Sequence, residues 1–541
     1  MKTNKPATEL LKQARGAIAA AMGQGMVTAA WARFLPDHRA VLSEDGDRTF
    51  AQLNARTNQL VRALRARGLG AGDGLAVMSR NRPEFVEAIH AARRAGLRVT
   101  PVNWHLTGAE AGYIVDDCDA KALIADAHFA DAAMEAAACA PKATVRLSVG
   151  GEIPGFERYD DALADQAPED IDDPVLGGAM LYTSGTTGRP KGVARDAPGA
   201  SPAGGMAASG MAANPLAAMQ SYEPGRSVHL VTGPLYHSAP LAFSLMMPHL
   251  FGSAVLLMNR WDTEGTLRLI QEHGVSHAHM VPTMFHRLLS LSTEVREQYD
   301  LSTLRYLIHG AAPCPVHVKK RLIEWLGPIV HEYYAATEGV GTMVDSHTWL
   351  KKPGTVGKPA TADHIKIMDD EGRALPPGEI GYIYIMAPGA ARFAYHKDQD
   401  KTESAYRGEY FTLRDVGYLD ADGFLFLTDR STELIISGGV NIYPAEIESV
   451  LLSSPHVADV AVIGVPNPEW GEEVKAIVQP SERAVPSPEL ADELVALCQR
   501  ELAKYKCPRS VDFAHVLPRS EAGKLQKHVL REQYREQTTG S

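Results

Sequence analysis

One segment constrains this chain more than any other: Leu181-Tyr-Thr-Ser-Gly-Thr-Thr-Gly-Arg-Pro-Lys-Gly192, in which eight of the twelve residues are Gly, Ser, Thr or Lys. It follows directly on the apolar end of the run Val175 to Leu181. Small residues such as Gly185 and Gly188 let backbone N–H groups approach an anion closely. The hydroxyls of Thr183, Ser184, Thr186 and Thr187 add donors, and Lys191 supplies a point charge. A flexible Ser/Thr/Gly linker would not need Lys and Pro in fixed places, so the segment reads as a phosphate-cradling loop. The G-x-x-x-x-G-K-[ST] register is absent, which sets it apart from the Walker loop.

Around that loop the first half alternates strand-like and helical patterns. Ala40 to Leu42, Gly74 to Met78 and Ala122 to Ala125 read as strands; Phe50 to Arg67 and Pro83 to Ala95 carry apolar residues at helical spacing. Such alternation predicts an α/β domain with mainly parallel sheets. Gly199 to Ala218, rich in Gly, Ala, Ser, Pro and Met, reads as a loop. No Lys, Arg, Asp or Glu occurs between Arg226 and Arg260, yet Pro234, Pro240, Pro248, Gly252 and three histidines interrupt the apolar run. A membrane span needs about 20 uninterrupted apolar residues, so this stretch is expected to be a buried strand, helix and strand. It could also line an apolar substrate pocket.

From about Gly357 to Leu427 short β-like runs (His364 to Met368, Ile380 to Ile385, Phe424 to Leu427) alternate with Asp-Gly, Pro-Gly and Arg-Gly turns. That texture predicts a small antiparallel or barrel-like unit. Beyond it come a helix from about Pro444 to Leu452, a strand at Val457 to Gly464 and a helix from Pro488 to Leu502, a compact α+β domain. The expected organisation is a large domain over residues 1–430, its barrel-like subdomain at about 357–427, and a small mobile domain over 431–541.

Composition narrows the function. The 541 residues include 54 basic and 65 acidic side chains, a net charge of −11, which argues against nucleic acid as partner. A phosphorylated ligand must then be met by a local site. The five cysteines (Cys118, Cys139, Cys314, Cys498, Cys507) form no C-x-x-C pair and are too sparse for a disulfide framework. Residues Met1 to Met26 contain no clean apolar h-region, so no signal peptide is expected, and the cytoplasm is the expected compartment.

T-S-G-T-T-G-x-P-K-G resembles the signature of the adenylate-forming superfamily, which includes acyl- and aryl-CoA synthetases, luciferases of the firefly type and peptide-synthetase adenylation domains. Five further blocks follow in order. They are Gly310-Ala-Ala-Pro313; Glu332-Tyr-Tyr-Ala-Ala-Thr-Glu-Gly339, similar to Y-G-x-T-E with Ala335 for Gly; and Asp415-x-Gly417 followed by Asp429-Arg430. The last two are Ser437-Gly-Gly-Val-Asn-Ile-Tyr-Pro-Ala-Glu-Ile-Glu448 and Pro518-Arg-Ser-Glu-Ala-Gly-Lys524.

The resemblance implies a two-step reaction: a carboxylate attacks the α-phosphate of ATP to give an acyl-adenylate and pyrophosphate, then a thiol attacks the mixed anhydride. Joining two anions calls for Mg²⁺ and donors where charge develops. Glu338 is the implied Mg²⁺ ligand, since that ion takes hard oxygen and one or two carboxylates, and Thr337 is the implied α-phosphate contact. Gly310, Ala311, Ala312 and Pro313 would lie along the adenine, with Glu332, Tyr333 and Tyr334 in the adenine and ribose set. Asp415 would take the ribose hydroxyls, although Leu413-Arg414 stand where the family usually has T-G. Arg430 would reach ribose or phosphates, its preceding glycine replaced by Asp429, a known kind of variant in acyl-CoA ligases. Thr432 stands where a hinge Asp or Lys is frequent. Lys524 would bridge acyl and phosphate oxygens during adenylation. Gly438 and Gly439 would then guide the pantetheine arm of CoA through a narrow tunnel. Trp470 either stacks on the CoA adenine or is a core tryptophan. His237, in Pro234-Leu-Tyr-His-Ser-Ala-Pro240, matches a gate beside the substrate carboxylate, whereas His277 and His279 read as core or pocket wall.

An amino-acid-activating domain would show an acidic residue in a motif like F-D-x-S, and Leu235-Tyr-His-Ser has none. The expected substrate therefore has one carboxylate and an apolar body. Ala242, Phe243, Gly310, Ala311, Gly339, Val340 and Gly341 are candidate pocket wall; their small size suggests room for a fatty, aryl-alkanoic or polycyclic acid. No carrier-protein domain is expected after Ser541, so CoA is the expected acceptor, with a carrier protein as the alternative. Kinases and P-loop NTPases fail for want of their motifs. Homodimers are common in the family.

Overall fold

The computed structural model describes residues 16–183, 190–195, 221–430, 433–437, 440–467, 470–482, 484–520 and 525–539. Two largely parallel sheets form the body. One has six strands in the order Glu157–Arg158, Val145–Val149, Ala120–Asp126, Gly74–Met78, Arg98–Pro101, Gly178–Ala179, all parallel. The other has eight, in the order Val340–Val344, Val330–Ala335, Tyr306–His309, His277–Met280, Val228–Val231, Ala254–Leu257, Arg39–Leu42, Arg48–Thr49. Its six inner strands run parallel and its two edges pair antiparallel.

Local signals explain the helices between these strands. Phe50–Ala66 begins with a capping box in which Thr49 and Gln52 satisfy each other's backbone N–H. Pro83–Ala95 starts on a proline, whose missing N–H costs nothing there, and ends on Gly96 at φ 74°. Thr263–His273 is capped by Asp262 and ended by Gly274 at φ 58°. The buried faces of the first two helices and one face of the six-stranded sheet share an apolar core built around Trp31, Phe50, Leu53, Phe85 and Leu147, whereas Leu267 and Ile270 of the third helix belong to a second core under the eight-stranded sheet.

The uncharged stretch is a strand (Val228–Val231), a helical segment and a strand (Ala254–Leu257), as expected. The helical part is a π-helix over Pro240–Met246 continued as Met247–Leu250. Its buried histidines are bonded internally: His229 to Tyr222 and Ser244, His249 to His90 and the Ala40 carbonyl. No helix among the described residues is long and apolar enough to cross a membrane.

The antiparallel unit follows the order Thr355–Gly357, Leu425–Arg430, Tyr410–Leu419, Gly381–Met386, Ile365–Met368, with Tyr406–Arg407 added to Tyr410–Leu419. It reaches two residues beyond the expected start, where buried Thr355 donates its hydroxyl to the Leu425 carbonyl 2.8 Å away, and three beyond the expected end, where Asp429 and Arg430 pair with Val416 and Asp415. The C-terminal sheet takes the order Val440–Ile442, Ile435–Ser437, Gly471–Pro480, Val457–Asn467, with Ser510–Phe513 parallel to Gly471–Pro480. The two apolar clusters around that sheet draw every buried member from residue 435 onward, so it has a core of its own. Thr432 and the loop Gly199 to Ala218 lie outside the described residues.

Candidate active site

The segment read as a phosphate loop joins two antiparallel strands, Leu181–Thr183 and Lys191–Ala194, with Lys191 paired to Thr183. The hairpin thus brings those two side chains to one level at the mouth of the loop. Ser184, Gly185, Thr186, Thr187 and Gly188 lie outside the described residues. A third strand, Ala394–Tyr395, pairs with Lys191–Ala194, and the His396 N–H bonds the Gly192 carbonyl at 2.8 Å. That strand delivers two residues absent from the sequence reading. Asp398 holds the Lys191 ammonium through Oδ2 while its Oδ1 caps the helix Gln399–Ala405 at the Lys401 N–H, 3.1 Å. The bond from Lys191 keeps the Asp398 carboxyl below its ordinary range. Tyr395 donates to Glu338 Oε1 at 3.0 Å, and burial followed by the Glu338 charge pushes its phenol far above its ordinary value.

Glu338 and Thr337 ride on a tight turn between Val330–Ala335 and Val340–Val344, closed by the Ala336 N–H on the Gly339 carbonyl at 2.8 Å. Thr337 Oγ1 donates to Ser238 Oγ at 3.2 Å. One guanidinium nitrogen of Arg195 donates to the carbonyls of both Thr337 (2.9 Å) and Glu338 (2.8 Å). Burial lowers the Arg195 pKa, and the Glu338 charge opposes it. The Glu338 carboxylate is buried yet carries a phenol on one oxygen, a single hard oxygen donor of the kind Mg²⁺ accepts alongside phosphate and water. The residues fit that ion.

Gly310 to Pro313 leave the strand Tyr306–His309 with Ala311 at φ 68°, left-handed backbone that costs a residue with a Cβ about 1–2 kcal/mol. On the adjacent strand, Val330–Ala335, Tyr334 reaches across to Asp415, its hydroxyl 2.8 Å from Oδ2. Arg414, beside Asp415, stands at φ 62°. Arginine therefore stands here in a left-handed conformation that a glycine would adopt at no cost. Asp415 is paired in register with Arg430 on the neighbouring strand. Glu332 points elsewhere: its carboxylate is committed to buried Lys319 at 2.6 Å, with His309 at 3.7 Å. Lys319 also lies over the Trp349 ring at 4.7 Å. This pair ties the helix Val316–Leu326 to the strand Val330–Ala335.

His237 opens the turn into the π-helix. Burial lowers its pKa to about 4, so the ring is neutral at pH 7, and its buried Nε2 has no hydrogen-bond partner among the described residues. The expected spaciousness of the wall is corrected here. A Cβ on Gly310 would meet the Tyr333 ring at 2.5 Å, one on Gly339 the Phe411 ring at 2.7 Å, and one on Gly341 the Tyr334 ring at 2.5 Å. These small residues make room for the chain's own rings. Tyr333 is held by a 2.9 Å bond to His279 and packs on Phe243 at 4.6 Å between ring centres. His277 is core, stacked on Tyr222 at 3.7 Å and bonded to Ser221 and Ser276.

In the small domain Trp470 is 42% exposed beside Ile436 at 53%, which rules out the core reading of the tryptophan. Ser437 pairs with Gly471, bringing the strand that enters Gly438 next to Trp470. Gly438, Gly439 and Lys524 lie outside the described residues. The segment carrying Lys524 is anchored at both ends. Arg519 bridges Leu525 and grips Asp459 through two nitrogens at 2.7 and 2.6 Å, and the Gln526 N–H bonds the Pro518 carbonyl.

Comparison with known proteins agrees with this architecture. The profile for AMP-binding enzymes matches residues 28–394, and that for the AMP-binding enzyme C-terminal domain matches 446–524. A feruloyl-CoA synthase of Amycolatopsis is 32% identical over 505 residues, 93% of this chain and 97% of that protein. A long-chain-fatty-acid–CoA ligase of Mycobacterium tuberculosis is 33% identical over 499 residues, 91% of this chain and 94% of its own length. Among solved structures, the Bacillus subtilis o-succinylbenzoate-CoA synthetase bound to its acyl-adenylate superposes with a TM-score of 0.76 at 29% identity, covering 94% of this chain and 97% of that one. The chain belongs to the AMP-binding enzymes, in the acid–CoA ligase branch of the adenylate-forming superfamily.

Proposed function

We propose that this enzyme is an ATP-dependent acyl-CoA ligase that adenylates an apolar carboxylic acid, releases pyrophosphate and passes the acyl group to CoA. The observation that carries the reading is the convergence of the Thr183–Lys191 hairpin and the Thr337–Glu338 turn on one strand, whose Tyr395 and Asp398 touch both. Lys191 and the hydroxyls of the loop hold the β- and γ-phosphates, and Thr337 holds the α-phosphate. Glu338 would hold Mg²⁺, which supplies charge neutralisation between phosphate oxygens when bound. Asp415 takes the ribose hydroxyls, Arg430 stands on the neighbouring strand, and the Gly310–Pro313 loop and Tyr334 flank the adenine. Neutral His237 orients the substrate carboxylate at the pocket mouth. Lys524 is brought in by the small domain, which begins at residue 431, to bridge carboxylate and α-phosphate. A rotation of that domain then replaces Lys524 by Gly438 and Gly439, with Trp470 available to the CoA adenine.

Among fatty, aryl-alkanoic and polycyclic acids we favour ring-bearing ones. Phe243, Tyr333 and His279 pack as one buried cluster of rings, and a ring-bearing acid packed against it would gain ring–ring contacts of about 0.5–1.5 kcal/mol beyond area burial. The five cysteines are free thiols, in keeping with a reducing, cytoplasmic setting.

The test is pyrophosphate release with ATP and Mg²⁺ across a panel of carboxylic acids, with and without CoA. Acid-dependent release that turns over repeatedly only with CoA, and collapses in Lys524→Ala, supports the ligase. A stoichiometric burst that CoA fails to relieve points to transfer onto a carrier protein, and no release with any acid defeats the proposal.

A further inference from the structure

Arg195 takes part in none of the roles given above, yet it makes the most specific contact in the site. It follows directly on the strand Lys191–Ala194, so it is rigidly joined to Lys191 at the other end of the same strand. Its side chain is partly buried and caps two successive carbonyls, Thr337 O at 2.9 Å and Glu338 O at 2.8 Å. Those carbonyls belong to the four-residue turn closed between Ala336 and Gly339. With both carbonyls fixed, the two peptide planes cannot rotate, and the directions of the Thr337 and Glu338 side chains are fixed with them. Tyr395 on Glu338 Oε1 and Ser238 on Thr337 Oγ1 then set the side-chain ends. Both bonds come from one terminal nitrogen whose two N–H vectors are locked in the guanidinium plane, whereas the three donors of an ammonium rotate freely.

We propose that Arg195 is a positioning residue that couples the phosphate hairpin to the Thr337–Glu338 turn, so that Glu338 is presented to the metal only while the hairpin strand is in place. This rests on the reading of Glu338 as the metal-facing carboxylate.

The test measures binding of a non-hydrolysable ATP analogue by calorimetry, with and without Mg²⁺, to the full-length protein and to Arg195→Ala, Arg195→Lys and Glu338→Gln. In the unmodified enzyme Mg²⁺ tightens binding, and Glu338→Gln abolishes that gain. Arg195→Ala is expected to reduce the Mg²⁺-dependent gain at least fivefold while leaving Mg²⁺-free affinity within twofold, and Arg195→Lys to fall between. Guanidinium chloride at about 20 mM, but not sodium chloride, restores the gain in Arg195→Ala. If Glu338→Gln keeps the Mg²⁺ gain, the reading of Glu338 fails and this inference with it. If Glu338→Gln loses the gain and Arg195→Ala keeps it, the inference alone is overturned. Equal loss of Mg²⁺-free and Mg²⁺-dependent affinity in Arg195→Ala, without rescue, also overturns it, since that is general structural damage.

Discussion

The Tyr334 hydroxyl donates a 2.8 Å hydrogen bond to Asp415 Oδ2 across the junction between the eight-stranded sheet and the antiparallel unit. Both residues are buried, so the bond fixes the carboxylate proposed for ribose before any nucleotide arrives. Tyr334→Phe removes one hydrogen bond to a charged acceptor and keeps the ring. Loss of about 1.5–3 kcal/mol in stability is the expected scale. The KM for ATP should rise about five- to tenfold, an effect of roughly 1–1.4 kcal/mol, with kcat within threefold. Steady-state kinetics with varied ATP decide it: an unchanged KM would separate Asp415 from ribose binding.

Asp398 holds the cation proposed for the ATP phosphates, so carboxylate and nucleotide should compete for it. Its carboxylate holds the Lys191 ammonium while also capping a helix, and both side chains are about 30% exposed. Asp398→Asn keeps a capping oxygen and removes the charge. The ion pair is half in solvent, so stability should change by less than about 1 kcal/mol. ATP-analogue affinity should rise two- to fivefold at low ionic strength, with the advantage shrinking as salt screens the pair. Weaker binding in Asp398→Asn would mean that Asp398 aims Lys191 rather than occupying it.

Acid should unfold this protein through its histidines. Burial lowers the pKa of His237, His249 and His279 to about 4, against 6.5 when exposed. Between those values the unfolded chain binds protons that the folded chain refuses, so stability is full above about pH 6.5 and is lost as pH falls toward 4. Each such histidine represents a loss on the order of 3 kcal/mol across that window. The melting temperature should fall steeply from pH 6.5 to 5, and His249→Phe, which fills the stacked position against His90 without a titrating nitrogen, should flatten the slope. A melting temperature that is level from pH 7 to 5 would contradict this.

Local chemistry is what a sequence displays. The strand Gly74–Met78 and the helix Pro83–Ala95 match their expected limits because a short continuous apolar run, a first-turn proline and a terminal glycine are all written within a few residues. The motif blocks are legible for the same reason. Arg195, Tyr395 and Asp398 are not, since their partners lie 142, 57 and 207 residues away and no local pattern marks a long-range hydrogen bond. Glu332 illustrates the converse. It sits inside a readable motif, and only the position of Lys319 on a packed helix turns it from the site to the scaffold. Arg414 departs from the family pattern in composition, and its φ of 62° is a left-handed backbone that no local pattern in the sequence announces.

The pocket wall misled for a physical reason that also makes a prediction. Small residues do not by themselves leave space; the ring of Tyr333 occupies what Gly310 leaves open, and Phe243 and His279 hold it there. If these three side chains close the bottom of the acyl site, Tyr333→Ala should deepen it. Loss of a buried ring costs about 3–5 kcal/mol, and His279 loses its partner as well. Phe is the better control, since Tyr333→Phe keeps the volume and removes only the bond to His279. The alanine variant should shift the ratio of kcat/KM between a bulky and a compact acid about tenfold toward the bulky one, whereas the phenylalanine variant should leave that ratio within twofold. A panel of acids of graded size, assayed by pyrophosphate release, measures both. If truncating Tyr333 lowers the rate for every acid by the same factor, the ring is core packing and the acyl group lies along a different wall.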